Sequence, residues 1–333
     1  MEPYADVVDA YTGFAASVRD DSPCFSAWAG GVVGDPEVLA WLAHLPTPKQ
    51  QPNLVFAAAR WHGVPAPGPY AGLREALLGD DGTIRATILA RATQTNEAGR
   101  LATLTPAFAQ LGDGPLALLE AGASAGLCLY PDRWAYRWAT TDGLVERGAG
   151  PVLECAVSGK LPDDVEVPVV AWRRGLDLNP LDVTDADQMA WLTTLVWPEH
   201  DDRRRRLVSA VEVARVEPPV VVAGDLMTDL PALVDEAARH ATPVVFHSAV
   251  VAYLEPAERA RFHDLMSGLV AAGRCHWVSH EGANVLPEVT STGPEVPSDL
   301  STFVLGVDGR AVAWTHGHGR TMTWFGAHPA RSR

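Results

Sequence analysis

The densest chemical signal in the chain is LALLEAGASAGLCLY, residues 116–130. One carboxylate, Glu120, closes an apolar run and is followed by the small residues Gly122, Ala123, Ser124, Ala125 and Gly126. Two chemistries fit these letters. An acid at a strand end, just before a small-residue turn into a helix, suits a ligand bearing an ammonium group. The small residues let the backbone approach the ligand, and a helix N-terminus would offer free N–H groups. The same letters also spell G-x-S-x-G, the elbow that exposes a nucleophilic serine. A triad of Ser124, Asp225 and either His247 or His280 can be written on that reading. The elbow usually follows several strands and borrows an oxyanion hole from an earlier HGGG-type loop, whereas the residues before 115 look helical and contain no such loop. A plain tight turn is the third reading.

Other side chains could complete a site. His247 ends the run TPVVFH, and His280 with Glu281 ends the next one. A neutral imidazole there can take a proton from a phenol, thiol or enol, or can simply be a hydrogen-bonded core residue. Asn96, Glu97 and Arg100 sit in a largely apolar helical stretch before residue 115, where they form either a lid over a pocket or a capping and ion-pair network. Arg133, Tyr136 and Arg137, like Arg173 and Arg174, could reach a substrate carboxylate or make interdomain contacts. Among the 11 tryptophans, Trp172, Trp191 and Trp197 gather near one predicted strand and helix, either to stack a flat ligand or to pack the core. His316 and His318 stand at i, i+2 without a clear third ligand, so no metal is expected.

The elements that must position these groups change character at Pro115. Residues 1–112 read as a helical region that caps the site. DPEVLAWLAHL (35–45) has Asp35 at an N-cap and Pro36 at the first helical position. QPNLVFAAARWHG (51–63) and the long stretch 85–112 continue the helical spacing. Beyond Pro115 come short β-branched runs at 167–178, 218–226, 242–250 and 274–282, with helical stretches between several of them. Strands without alternation separated by helices predict a mostly parallel sheet covered on both faces. STFVLGVDGRAVAWT (301–315) predicts a hairpin about Asp308-Gly309, with TMTWF as a candidate continuation, which would end the sheet with antiparallel strands.

A net charge of -15 opposes a nucleic-acid partner. The one dense basic run, Arg203 to Arg206, follows two acids and reads as a solvated helix turn. Four scattered cysteines fit buried thiols in a reducing cytoplasm. Neither a signal peptide nor an apolar run of membrane-spanning length is recognisable, so a cytoplasmic protein acting on a small molecule is expected.

LLEAGASAG, GLDLNPLDV, VVVAGDLMTDL and VVFHSAVVAYL resemble the ordered motifs of class I S-adenosylmethionine-dependent methyltransferases. TNEAGRLATLTPAF, LLEAGASAGLCLYPDRWAY, GLDLNPLDV and WLTTLVWPEHDDR resemble, more closely, an uncharacterised bacterial family placed in that superfamily, over about residues 50–325. The resemblance implies a Rossmann-like α/β domain at 113–333, an insertion around 128–166, and S-adenosylmethionine as methyl donor. It also implies roles. Glu120 faces the methionine amino group, and Gly122, Ala123 and Gly126 lie beneath the carboxylate and ribose. Asp177 takes the ribose hydroxyls, Asp225 and Leu226 meet the adenine, and His247 and Ser248 face the transferred methyl. Arg133, Tyr136 and Trp197 join Asn96, Glu97 and Arg100 as substrate or lid candidates. The interval from Gly126 to Asp177 far exceeds the ~20 residues of a simple doubly wound unit, so it holds an insertion or Asp177 belongs to another strand. The expected function is methyl transfer to a small molecule. The alternatives are a serine hydrolase through Ser124 and a ligand-binding protein without methyl transfer.

Overall fold

A computed structural model describes residues 5–94, 96–162, 165–297 and 302–326. The chain opens with helices α1 (Ala5–Ser17), α2 (Pro23–Val33), α3 (Pro36–Leu42), α4 (Pro52–Trp61), α5 (Tyr70–Leu78) and α6 (Thr83–Ala90). Capping follows from the sequence. Ser22 and Asp35 accept backbone N–H groups at the starts of α2 and α3, and each helix has proline in its first turn. A 3₁₀ turn, Ala98–Arg100, leads into α7 (Leu101–Phe108) and then β1 (Leu116–Ala121). The stretch 85–112 is therefore not one helix, because the chain leaves α6 in an extended conformation at Arg91.

After β1 come β2 (Ala135–Thr140), β3 (Gly143–Gly148), β4 (Val152–Ser158) and β5 (Val170–Asp177). Helices α8 (Ala186–Leu195) and α9 (Asp201–Val216) precede β6 (Val221–Ala223), α10 (Leu230–Ala237) and β7 (Thr242–Ser248). The chain finishes with α11 (Pro256–Ala271), β8 (His276–Gly282), α12 (Pro287–Thr290), β9 (Thr302–Val307), β10 (Arg310–His316) and β11 (Thr321–Trp324). No helix of the described residues is long and apolar enough to cross a membrane.

The chain forms two compact units. One takes the described residues of Met1–Thr95 with Ala186–Val208; the other takes Asn96–Asp185 with Ser209–Arg333. The boundary expected at residue 112 differs on two counts. α7 belongs with the sheet, since every residue of this apolar helix is buried and it packs on β2, β4, β8 and β9. Residues 186–208 belong with the N-terminal helices. Trp197 there donates to Asn53, Trp191 donates to the Ala92 carbonyl, and Glu199 accepts from Ser22 Oγ and the Cys24 N–H.

The second unit is mixed α/β, built on a large, mostly parallel sheet of 11 strands in the order β3-β2-β4-β11-β10-β9-β8-β7-β1-β5-β6. From β6 to β8 neighbouring strands run parallel; β9 is antiparallel to β8 and forms the expected hairpin with β10. The insertion between β1 and β5 supplies β2, β3 and β4, with β3 antiparallel and β4 parallel to the central β2, and it joins the far side of the sheet by pairing β4 with β11.

Strand alternation sorts the central side chains between two faces. Leu119, Ala121, Val245 and Trp277 share a core with Leu230 and Val234 of α10 and Phe262, Met266 and Leu269 of α11. Glu120, Phe246, Ser248 and His280 point to the other face, where Phe108 of α7 meets Phe246 edge-on at 5.3 Å.

Candidate functional site

The site is assembled at the carboxyl ends of the central parallel strands. Glu120 of β1 lies beside Gly175 of β5 and Phe246 of β7, and Ser248 of β7 lies beside His280 of β8. Asp177, the last residue of β5, is therefore one strand away from the loop after Glu120. It ends the strand adjacent to β1.

That loop turns through three left-handed residues, Gly122 (φ 72°), Ser124 (φ 51°) and Gly126 (φ 68°). A Cβ on Gly122 would come within 2.4 Å of the Val250 side chain, so a tight approach adds to the strained φ. Sequence reasoning missed Gly175, where a Cβ would sit 2.6 Å from that of Ala123; the bare strand lets the loop fold across it. The signal available was a glycine inside an otherwise β-rich run. No helix follows the loop. The chain continues through turns to a 3₁₀ segment, Pro131–Arg133, and then β2, so the expected helix N-terminus is absent here.

The loop is held from several sides. Asn96 clamps it with both ends of its amide: Nδ2 donates to the Ala123 carbonyl (2.8 Å), and Oδ1 accepts from the Leu127 N–H (3.1 Å). Asp177 Oδ2 accepts from the Ser124 N–H and Oδ1 from the Asn179 N–H, each at 2.7 Å. The Leu181 N–H donates to the Ser124 carbonyl. Glu97 caps the turn at the Gly99 N–H. Arg100 donates from Nε to the Gly317 carbonyl (2.8 Å) and from Nη1 to the Ser248 carbonyl (3.0 Å), with its guanidinium over the Phe303 ring. These contacts make Asn96, Glu97 and Arg100 a capping and bridging network.

Two buried acceptors of this loop region lack partners. Glu120 Oε2 and Ser124 Oγ have no hydrogen-bond partner among the described residues, although only 6% of Glu120 and 4% of Ser124 is exposed. Burial pushes the Glu120 carboxyl well above the usual carboxylate range; the Asp177 charge adds to this and Arg100 opposes it. Burial likewise raises the Cys128 thiol, with the neighbouring Glu120 reinforcing the shift.

The histidines are placed differently from expectation. His247 lies on the opposite face from Glu120, edge-on to Phe262 of α11. Its Nδ1 is 2.7 Å from Glu281 Oε1, and the Trp277 indole N–H donates to its Nε2 at 3.0 Å. With Nδ1–H donating and Nε2 accepting, the ring has no lone pair left for a substrate proton, and this geometry does not offer His247 as a base. His280 does lie on the Glu120 face. Its Nδ1 is 2.5 Å from Ser248 Oγ and its Nε2 is 2.6 Å from Thr315 Oγ1. Thr315 donates to the Phe303 carbonyl (3.5 Å), which assigns Nε2–H as donor to Thr315 and Nδ1 as acceptor from Ser248. Burial, then Arg100, then His247 push His280 well below its ordinary value, so the ring is neutral.

Other candidates fall elsewhere. Asp225 lies beyond the end of β6 and is exposed; its Oδ1 accepts from the Met227 and Thr228 N–H groups, while Leu226 is buried. Arg133 is exposed and pairs with Asp132 and Glu217. Tyr136 is buried, stacked on Trp138, and donates to the Pro131 carbonyl. Arg137 pairs with Glu146 and Glu154, Arg173 with Asp132, and Arg174 with Glu236. Trp172 stacks on His240. Trp197 and Trp191 belong to the helical unit, where Trp197 meets Phe14 edge-on. The His318 N–H donates to His316 Nδ1, and no cluster of three or more potential metal ligands occurs among the described residues.

Fold and site thus define an α/β protein with a tight small-residue loop at the carboxyl ends of a large, mostly parallel sheet. The family described as "Uncharacterized protein conserved in bacteria (DUF2332)" matches residues 8–324, and the chain belongs to it. No curated protein matches the chain significantly.

Proposed function

We propose that the protein is an S-adenosylmethionine-dependent methyltransferase acting on a small molecule. The observation that carries this reading is Glu120 Oε2, a buried acceptor without a partner, at the end of β1 beside a loop of small left-handed residues. An ammonium group supplies the donors that this oxygen lacks. The strand order supports the assignment. Reading from β6 through β5, β1, β7 and β8, the chain steps outward from β1 first on one side and then on the other, which is the 3-2-1-4-5 order of doubly wound folds. Ligands of such sheets bind outside the carboxyl ends, where the order reverses.

The residues fit this donor better than a dinucleotide. With turns rather than a helix after the loop, the N–H cluster that favours a pyrophosphate is missing. Asp177 spends one lone pair of each oxygen on the backbone and keeps others for a ligand's hydroxyls. When bound, the donor supplies an electrophilic methyl group. The chain's own tasks are then alignment and exclusion of water. The clamped loop fixes the ligand's position, and Ser248 Oγ, whose hydrogen is committed to His280, is left to accept a hydrogen bond. The geometry gives the hydrolase alternative little support, because Ser124 Oγ has no histidine partner.

Calorimetric titration with S-adenosylmethionine and S-adenosylhomocysteine tests the reading. Micromolar binding that weakens by about 1–3 kcal/mol in Glu120→Ala, the cost of a lost charged hydrogen-bond partner, is the expected result. Failure of the wild type to bind either compound overturns it.

A further inference from the structure

Glu120 differs from Asp177 and Glu97 in what its surroundings provide. Asp177, one strand away, receives a backbone N–H on each oxygen. Glu97 receives the Gly99 N–H. Glu120 Oε2 receives nothing, and only 6% of the residue is exposed to water. The nearest cation does not supply the deficit, since Arg100 directs Nε and Nη1 at the carbonyls of Gly317 and Ser248. Around Glu120, the end of β5 brings Asp177, whose charge raises the carboxyl further, and the loop brings the neutral thiol of Cys128, while His280, two strands away on β8, is neutral. A buried carboxylate with a like charge beside it and no donor on one oxygen is an unfavourable species.

We propose that Glu120 carries a hydrogen in the free protein, and that an ammonium-bearing ligand binds by displacing it to solvent. The exchange balances: a neutral carboxyl and an ammonium become a carboxylate–ammonium pair plus one solvated proton, and the net charge of the pocket is unchanged. The site thereby selects a ligand that brings its own positive charge and donors. A neutral isostere must instead bury an uncompensated carboxyl. The inference rests on the donor-binding reading above and adds the ionic class of the ligand group that Glu120 takes.

Proton linkage is read directly by titrating S-adenosylhomocysteine into the full chain at pH 7 in buffers of different ionisation enthalpy. The slope of observed enthalpy against buffer enthalpy counts protons. Close to one proton released per ligand is expected in the wild type, with affinity rising up to roughly tenfold per pH unit while Glu120 still holds its hydrogen. Glu120→Gln, which keeps shape and neutrality, should bind more weakly and release none. 5′-Methylthioadenosine, which lacks the amino group, should bind without proton release to either protein. Binding of S-adenosylhomocysteine with no proton released, or with equal release from wild type and Glu120→Gln, overturns the proposal while leaving the donor assignment standing. No binding by a folded wild-type protein overturns the assignment itself, and the proposal with it.

Discussion

The two faces of the central sheet hold their buried acids in different ways. On the α10–α11 face, Glu281 Oε1 takes three donors at once, His247 Nδ1–H and the N–H groups of Val250 and Val251, while its Oε2 takes none. Trp277 closes the other side of His247. On the α7 face, Glu120 Oε2 and Ser124 Oγ take none, yet both residues are just as buried. A buried polar group is tolerated cheaply when its partners are built in and expensively when they are not. The first arrangement holds three chain segments in register, namely β7, β8 and the turn after β7. The second stores an unmet demand at a strand end, where a ligand can meet it.

The contrast breaks most severely if the acids are removed. Glu281→Ala strands three buried donors, and at ~1–3 kcal/mol for each unsatisfied group it should cost at least about 3 kcal/mol in urea unfolding. Glu120→Gln should do the reverse. The folded protein binds the Glu120 proton more tightly than the unfolded chain does, because the carboxyl is raised. Its stabilising contribution is therefore full at low pH and is lost as pH rises from the unfolded value, ~4.3, towards the folded one. At pH 8 the glutamine variant should be more stable than wild type by about 1 kcal/mol, a common gain when a strained site residue is relieved. Destabilisation of both variants to the same extent would erase the distinction between the faces.

The adjacent histidines sharpen the same comparison through tautomers. His247 is assigned Nδ1–H and His280 Nε2–H, and nitrogen NMR of the imidazoles should find the two opposite forms in one protein. His280 also carries a pH signature of opposite sense to Glu120. Its folded value is lowered, so it must charge on unfolding in acid. Its contribution is complete above the unfolded value, ~6.5, and falls away as pH drops below it towards the folded value. His280→Gln should flatten that acid limb of the stability curve.

Much of this was legible in local pattern. Glu120 and Asp177 could be picked out as acids closing apolar runs, and the strands at 242–250 and 274–282 fall within two residues of β7 and β8. Long-range pairing was not legible. Nothing in AYRWAT or VLECAVS announces that β4 joins β11 rather than extending the sheet beside β1. The segment WLTTLVWPEH gives no local sign that its tryptophans and Glu199 belong to the N-terminal helices. His247 shows the same limit at the scale of one residue. Period-2 alternation requires His247 and Ser248 to face opposite sides, but it cannot say which side holds the core. Only the packing of Phe262 of α11 against His247 and Trp277 decides that.

The smallest predicted effect bears on the choice between Glu120 and Ser124. Ser124 occupies φ 51° and its hydroxyl has no partner, so its side chain contributes strain and no hydrogen bond. Its backbone is what the loop uses: the N–H bonds Asp177 and the carbonyl accepts from Leu181. Ser124→Gly keeps both of those bonds and relieves a left-handed cost of roughly 1–2 kcal/mol, offset in part by the freer unfolded chain. A net gain of about 0.5 kcal/mol, with ligand affinity unchanged within twofold, is expected. An elbow serine would behave otherwise, since its loss abolishes covalent labelling by a fluorophosphonate and any attendant activity. Labelling of the wild type that disappears in Ser124→Gly would transfer the reactive role from the carboxylate to the serine; its absence in both leaves Ser124 as a turn residue whose work is done by its backbone.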